Sequence, residues 1–169
     1  LFKNIPSKVG DLVRGVESGR IGLPDLQRPF VWQDSKVREL FDSMLRGYPI
    51  GYIMLWESPT NYESKKNSIG SNDKTYAEAK ELVIDGQQRL TTLTILLAAL
   101  TSYFDGDLRN DYLDYLKEPG RISQGIPYRP RLCLRLKDQP FFEKYIQNVQ
   151  LDELTNINPT ILPNEAQRH

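Results

Sequence analysis

The residues best placed to do chemistry are Asp85, Gly86, Gln87, Gln88 and Arg89, five consecutive positions between an apolar run and a stretch of helical periodicity. A strand that stops at a small turn and feeds a helix leaves the first backbone N–H groups of that helix unpaired. Together with the positive end of the helix dipole, those groups make a site for anions, phosphate above all. Gly86 permits positive φ and lets a ligand approach the backbone. Gln87 and Gln88 offer amide donors and acceptors, and either is suited to orient an attacking water. Arg89 supplies a planar fork matched to phosphate oxygens, and Asp85 can hold a hard divalent cation such as Mg²⁺. The plainer reading is a common Asp-Gly turn with Asp85 as helix cap. Against it stands Arg89. A cation in the first helical turn opposes the dipole by ~0.3–1 kcal/mol, and a local rule broken without compensation marks a functional site.

A second group is Gln27 and Arg28, followed by Phe30 and Trp32. Pro24 and Pro29 stiffen the chain on both sides, which lowers the cost of ordering an arginine around a ligand. The aromatics also fit as core anchors. A third group, over 121–137, holds Arg121, Arg129, Arg131, Arg135 and Lys137 with Tyr128 and no acid. Of these, Arg129, Arg131 and Arg135 are the candidates for nucleic-acid phosphates, against the alternative of a solvated strand face. Cys133 lies among apolar neighbours and reads as a small core residue. No acids and histidines cluster at metal-ligand spacing, and Asp85 alone cannot build a two-metal nuclease site.

Several elements must position these groups. Val9, Leu12, Val13 and Val16 form one stripe in a helix over 1–19, with Ser7 placed to cap it. Residues 20–24 are a short extended piece. Asp34 or Ser35 starts a helix to about Arg46, with Val37, Leu40, Phe41, Met44 and Leu45 inward, and Gly47 ends it. Ile50 to Trp56 and Leu82 to Ile84 read as buried strands, separated by a long lysine-rich loop over 57–80. The next helix runs from Gln87 to about Phe104 with Leu90, Leu93, Leu97 and Leu100 inward. Residues 105–130 are turn-rich, Arg131 to Lys137 alternate like a half-buried strand, and Pro140 to Val149 form a helix. The order implies an α+β (α/β) domain with a small mixed sheet flanked by helices. The expected domain is 1–150, with 151–169 a linker or the start of another segment.

Bulk properties narrow the partners. Lys and Arg total 22 against 22 Asp and Glu, so no global basic field pulls the chain onto DNA and any such contact is local. One cysteine excludes an internal disulfide and favours a reducing, cytoplasmic setting. No run of 18 apolar residues exists to span a membrane. The first residue is Leu1, and no basic-then-apolar leader follows, so the chain reads as a piece of a longer protein.

Three stretches carry a family resemblance: Leu23 to Trp32, Gly47-Tyr48-Pro49-Ile50-Gly51 leading into Leu55-Trp56, and Val83 to Leu93 with its Asp-Gly-Gln-Gln-Arg core. Together they closely resemble the N-terminal domain of GmrSD-type modification-dependent restriction endonucleases, within the ParB/sulfiredoxin-like superfamily, over roughly residues 5–150. The resemblance implies a ParB-like fold, nucleoside-triphosphate binding and hydrolysis with Mg²⁺, and service in defence against foreign or modified DNA. Asp85, Gly86, Gln87, Gln88 and Arg89 match the family's nucleotide motif, and Gln27 and Arg28 its upstream element. Leu26 stands where an aromatic is common, a departure that touches packing. The implied partners are DNA, a C-terminal nuclease domain in the same or a partner chain, and a second copy in a homodimer. The only histidine is His169, so a His-Asn-His nuclease signature is not in this stretch.

Overall fold

The computed structural model describes residues 4–17, 20–22, 28–57, 81–120, 123, 128–163 and 167. Helix α1, Val9–Glu17, leads into the short strand β1, Ile21–Gly22. Helix α2 is Asp34–Leu45, strand β2 Met54–Glu57 and strand β3 Glu81–Asp85. Helix α3, Gln87–Thr101, follows β3 directly, and α4 is Gly106–Leu116. Strands β4, Lys117–Glu118, and β5, Arg129–Pro130, form a small antiparallel ribbon. Helix α5, Gln139–Phe142, continues as a π-helical turn over Glu143–Gln147, and α6 is Leu151–Thr155. β3 lies between β1, to which it runs parallel, and β2, to which it runs antiparallel. This is an α+β domain with a small mixed sheet.

The core is made by Ile21, Val83, Ala98, Leu116, Leu132, Phe142 and Ile146, with Ile53, Leu55, Leu90 and Leu97 packed against it. Val83 is buried while its neighbour Ile84 is exposed, so the sheet carries core on one face. Met54 and Trp56 of β2 are exposed too. The expectation of two buried strands therefore holds for one face only: the apolar runs reflect one packed face and one that stays open.

Helix α2 behaves as its stripe requires, with Leu40 buried and Val37, Phe41 and Met44 half-buried, although Leu45 is exposed. Neither Asp34 nor Ser35 caps it. Gln33 holds the cap position without a side-chain bond. At the other end Gly47, at φ +70°, donates to the Met44 carbonyl and Tyr48 to that of Ser43. That pair of bonds is the Schellman stop for which glycine is suited. At α1 the Lys8 N–H donates to Asp11.

Helix α3 buries a different face from the leucine ladder. Thr92, Ala98 and Thr101 are fully buried and Thr91 nearly so, whereas Leu100 is exposed. The hydroxyls of Thr91, Thr92 and Thr101 donate to carbonyls four residues earlier, at 3.0, 2.9 and 2.7 Å. Their polarity is thus satisfied inside the helix, leaving a small, closely packing surface.

Two further expectations change. Residues 105–130 include the full helix α4, led by Asp105 and Gly106. Arg131 to Lys137 do not form a strand; β5 stops at Pro130. The reason lies in two glutamines. Gln147, fully buried, donates from Nε2 to the Leu132 carbonyl at 2.7 Å, and Gln139 accepts from the Leu134 N–H at 2.7 Å. Gln139 in turn donates to Gln147 Oε1 at 3.2 Å. Side-chain amides take the bonds that a neighbouring strand would have taken, and Leu136 is left almost wholly exposed. Beyond residue 150, Leu151 and Leu154 of α6 pack against the core.

Candidate functional site

Asp85 ends β3, paired in register with Met54, and its side chain is exposed. Gly86 turns the chain at φ +106° and serves as the N-cap of α3. A Cβ there would lie 3.0 Å from Ile53 Cγ1 and 3.3 Å from Ile53 Cα. Positive φ at Gly86 agrees with the sequence reading. The close approach that glycine permits, however, is made by the protein's own Ile53. Helix α3 has no side-chain cap and no acid in its first turn, so its leading amides keep the partial positive charge of a helix start.

The two glutamines reach across to the upstream motif. Gln88 donates from Nε2 to the Pro29 carbonyl at 2.7 Å and accepts the Val31 N–H on Oε1 at 2.8 Å. Gln87 accepts the Arg28 N–H at 3.4 Å and donates to the Val83 carbonyl at 3.5 Å. One side-chain amide thus pairs with the extended 29–31 backbone as a neighbouring strand would. Two motifs nearly sixty residues apart in sequence meet at the first turn of α3. The water-orienting role expected of these glutamines has this anchoring role beside it, since Gln88 spends both ends of its amide on backbone.

Arg89 is not a free fork. Its Nη1 donates to the Tyr52 carbonyl, its guanidinium carbon lies 5.8 Å from the Trp32 ring centroid, and its Nε is buried without an acceptor. Gly51, at φ +97°, leaves room for it, because a Cβ there would stand 2.9 Å from Nη2. Among the described residues no carboxylate pairs with Arg89. It binds the turn before β2, and Trp32, to α3.

Arg28 is exposed and lines a small cleft with Phe30, Gln87, Gln88, Thr91, Leu134, Arg135 and Asp138. Gln27 lies outside the described residues. Arg135 was expected among DNA contacts, but it pairs with Asp138, with Nε at 2.7 Å and Nη2 at 2.5 Å from Oδ2. Arg131 likewise turns to Glu118 at 2.8 Å and to the Asp114 carbonyl at 3.0 Å. Arg129 contributes backbone to β5, and its side chain lies outside the description. The structure therefore brings Asp85, Gly86, Gln87, Gln88, Arg89 and Arg28 together. It ties Arg131 and Arg135 into ion pairs rather than an open basic face.

Asp138 and Thr91 were missed by the sequence reading. The available signal for Asp138 was its spacing of three from Arg135, just ahead of Pro140. Cys133 is half-buried, and desolvation followed by the nearby Glu143 carboxylate pushes its thiol up to about 12. This suits packing and not redox chemistry. Among the described residues no three His, Cys, Asp or Glu side chains converge as a metal cage. No helix among them is long and apolar enough to cross a membrane.

Fold and site together define a small α+β domain built around a strand–glycine–helix turn, clamped by glutamine to an arginine-bearing segment. The chain belongs to the GmrSD restriction endonuclease, N-terminal domain family, whose family model matches residues 9–168. It is also 38% identical over 90 residues to an uncharacterized protein of Methanocaldococcus jannaschii. That alignment covers 49% of this chain and 15% of the archaeal protein. No solved structure matches the chain.

Proposed function

We propose that this domain binds, and with Mg²⁺ hydrolyses, a nucleoside triphosphate at the first turn of α3, as the regulatory module of a DNA-restricting defence protein. The observation that carries the reading is the glutamine clamp. Through Gln87 and Gln88 it sets Arg28 beside a helix start that has neither a cap nor an acid. A cation beside an uncapped helix start is what phosphate oxygens need. Phosphoryl transfer asks chiefly for positioning and charge stabilisation, and no nucleophilic side chain is required. Arg28 and the amides of α3 would take the phosphates. Gln87, whose two bonds are long, has the freer amide for a water. Arg89 acts by holding the Tyr52 turn and Trp32 in place.

The residues fit a phosphate-held Mg²⁺, which keeps most of its waters and needs one or two carboxylates; Asp85 supplies one that is exposed beside the turn. Held by Asp85, such an ion would supply positive charge that offsets the negative charge of the phosphates. Nucleotide state would then bias a segment that signals to a nuclease domain elsewhere in the protein or its partner, which cuts foreign or modified DNA.

The test is a thermal-shift series with the four ribonucleoside triphosphates, with and without Mg²⁺, on wild type and Arg28→Ala. A ligand at a hundred times its Kd stabilises the folded state by about 2.7 kcal/mol, an upward shift of roughly 5–10 °C for a chain of this size. Arg28→Ala should lose most of that shift, and single-turnover hydrolysis should fall with it. No shift with any triphosphate refutes the proposal.

A further inference from the structure

The far end of α3 carries a surface that the nucleotide turn does not use. Helix α3 runs from the turn at Gly86 to Thr101, and at about 1.5 Å per residue its last turn lies roughly 20 Å from the proposed phosphate site. There Tyr103 is 84% exposed, and Leu100 of α3 and Leu108 and Tyr115 of α4 are exposed as well. An aromatic line joins them: the Phe104 ring lies 4.7 Å from that of Tyr112, and Tyr112 meets Tyr115 edge-on at 6.1 Å. Leu108, Tyr112 and Tyr115 follow the i, i+4, i+7 spacing of one helical row. Helix α4 turns Leu116 to the core, so this row is a second apolar stripe, open to solvent at Leu108 and Tyr115.

The neighbouring row of α4 is acidic. Asp107, Asp111 and Asp114 stand at the same spacing, all exposed, with Asp105 just ahead of the helix. Among the described residues none of the four forms an ion pair. The one cation of the helix, Arg109, turns back and donates from Nη1 to the Thr101 carbonyl at 2.8 Å. Over 101–116 four carboxylates against one cation leave a net charge of −3, in a chain that is neutral overall. Like charges at i, i+4 and an acid in the last turn both work against a helix, so α4 keeps this row against its own preference. A cationic partner removes that repulsion, whereas nucleic acid would add to it. We infer that the exposed face of α4, with Tyr103 beside its start, docks an amphipathic helix of a partner protein whose Lys or Arg side chains border an apolar stripe. The two apolar rows pack as helices do, and the acidic row faces the basic one, which sets partner choice and orientation.

The probe is a labelled synthetic peptide of about 18 residues, long enough to hold a helix once bound. It carries leucines at i, i+3, i+4 and i+7 with lysines elsewhere, and binding is read by fluorescence anisotropy. One control peptide has glutamate for lysine, and a second has serine for leucine. Wild type should bind the leucine–lysine peptide with an affinity that falls as salt rises, and both controls should bind at least about tenfold more weakly. The triple variant Asp107→Asn, Asp111→Asn and Asp114→Asn removes three rim charges, together worth about tenfold in affinity. The double variant Tyr103→Ser and Leu108→Ser should weaken binding by a similar factor. All five positions are exposed, so both variants should melt as wild type does. Absence of binding by wild type, or equal affinity of wild type and both variants, overturns the inference. Self-association of the chain that either variant abolishes also overturns it, by giving this face to a second copy.

Discussion

Replacing Gln88 by leucine removes the clamp while leaving a side chain of similar bulk. The two bonds lost differ in environment. The one to the Pro29 carbonyl, at 2.7 Å, is partly buried, and the one from the Val31 N–H, at 2.8 Å, is near solvent. The first is worth about 1–1.5 kcal/mol and the second about 0.5 kcal/mol, since water can replace it. A loss of about 1.5–2 kcal/mol lowers the melting temperature of a 169-residue chain by roughly 3–8 °C. Nucleotide binding should suffer more than stability, because the backbone of 29–31 is what holds Arg28 against α3. Gln88→Glu separates the effects. Its carboxylate still accepts from Val31 and sits well at a helix start, but it repels the Pro29 carbonyl, so its stability should fall between the other two. Scanning calorimetry gives the first quantity and equilibrium titration with triphosphate the second. If Gln88→Leu melts within 1 °C of wild type, the clamp does not hold the two motifs together and the site loses its basis.

Gly86→Ala should cost about 2–3 kcal/mol in urea unfolding, because φ +106° disfavours a Cβ and Ile53 stands in its way. A cost below 0.5 kcal/mol would show that the turn relaxes freely. Arg131→Ala should cost about 1–2 kcal/mol through its bonds to Glu118 and the Asp114 carbonyl, with no change in the salt dependence of any DNA binding. A flatter salt slope would return this residue to the nucleic-acid surface. The Cys133 thiol, raised from 9.0 to about 12 in the folded chain by desolvation and then Glu143, imposes a pH dependence with a definite sign. The unfolded thiol ionises first, so stability is full below pH 9 and declines as pH rises toward 12. Cys133→Ala should flatten that decline in urea midpoints taken between pH 8 and 11. A midpoint for wild type that does not fall beyond that of Cys133→Ala over this range would contradict the burial of the thiol.

What could be read from sequence divides along a physical line. The α2 stripe, the Gly47 stop and the strand–Gly86–helix turn depend on neighbours within a few residues, and the structure has them. The α3 face could not be read from hydropathy alone. Thr92 and Thr101 are polar by type but apolar in effect once their hydroxyls bond back to Gln88 and Leu97. Arg89 was read as compensated by a bound anion. Its guanidinium instead meets a carbonyl and an aromatic ring supplied by residues 52 and 32, contacts that no local spacing encodes.

The strand expected over 131–137 and the clamp at Gln88 share one explanation. In both places a glutamine side chain stands in for a peptide group: Gln88 against Pro29 and Val31, and Gln147 with Gln139 against Leu132 and Leu134. Extended backbone with alternating side chains looks like a strand in sequence, because the pattern reports only which faces are wet. Whether a strand results depends on where its N–H and C=O groups find partners. Here they find single amides carried by helices. Such an amide fixes one short stretch without a neighbouring strand. The 28–31 and 132–135 stretches thus reach the same cleft, each held by a helix and neither extended into a sheet. Arg28 from the first stretch and Arg135 from the second both line that cleft.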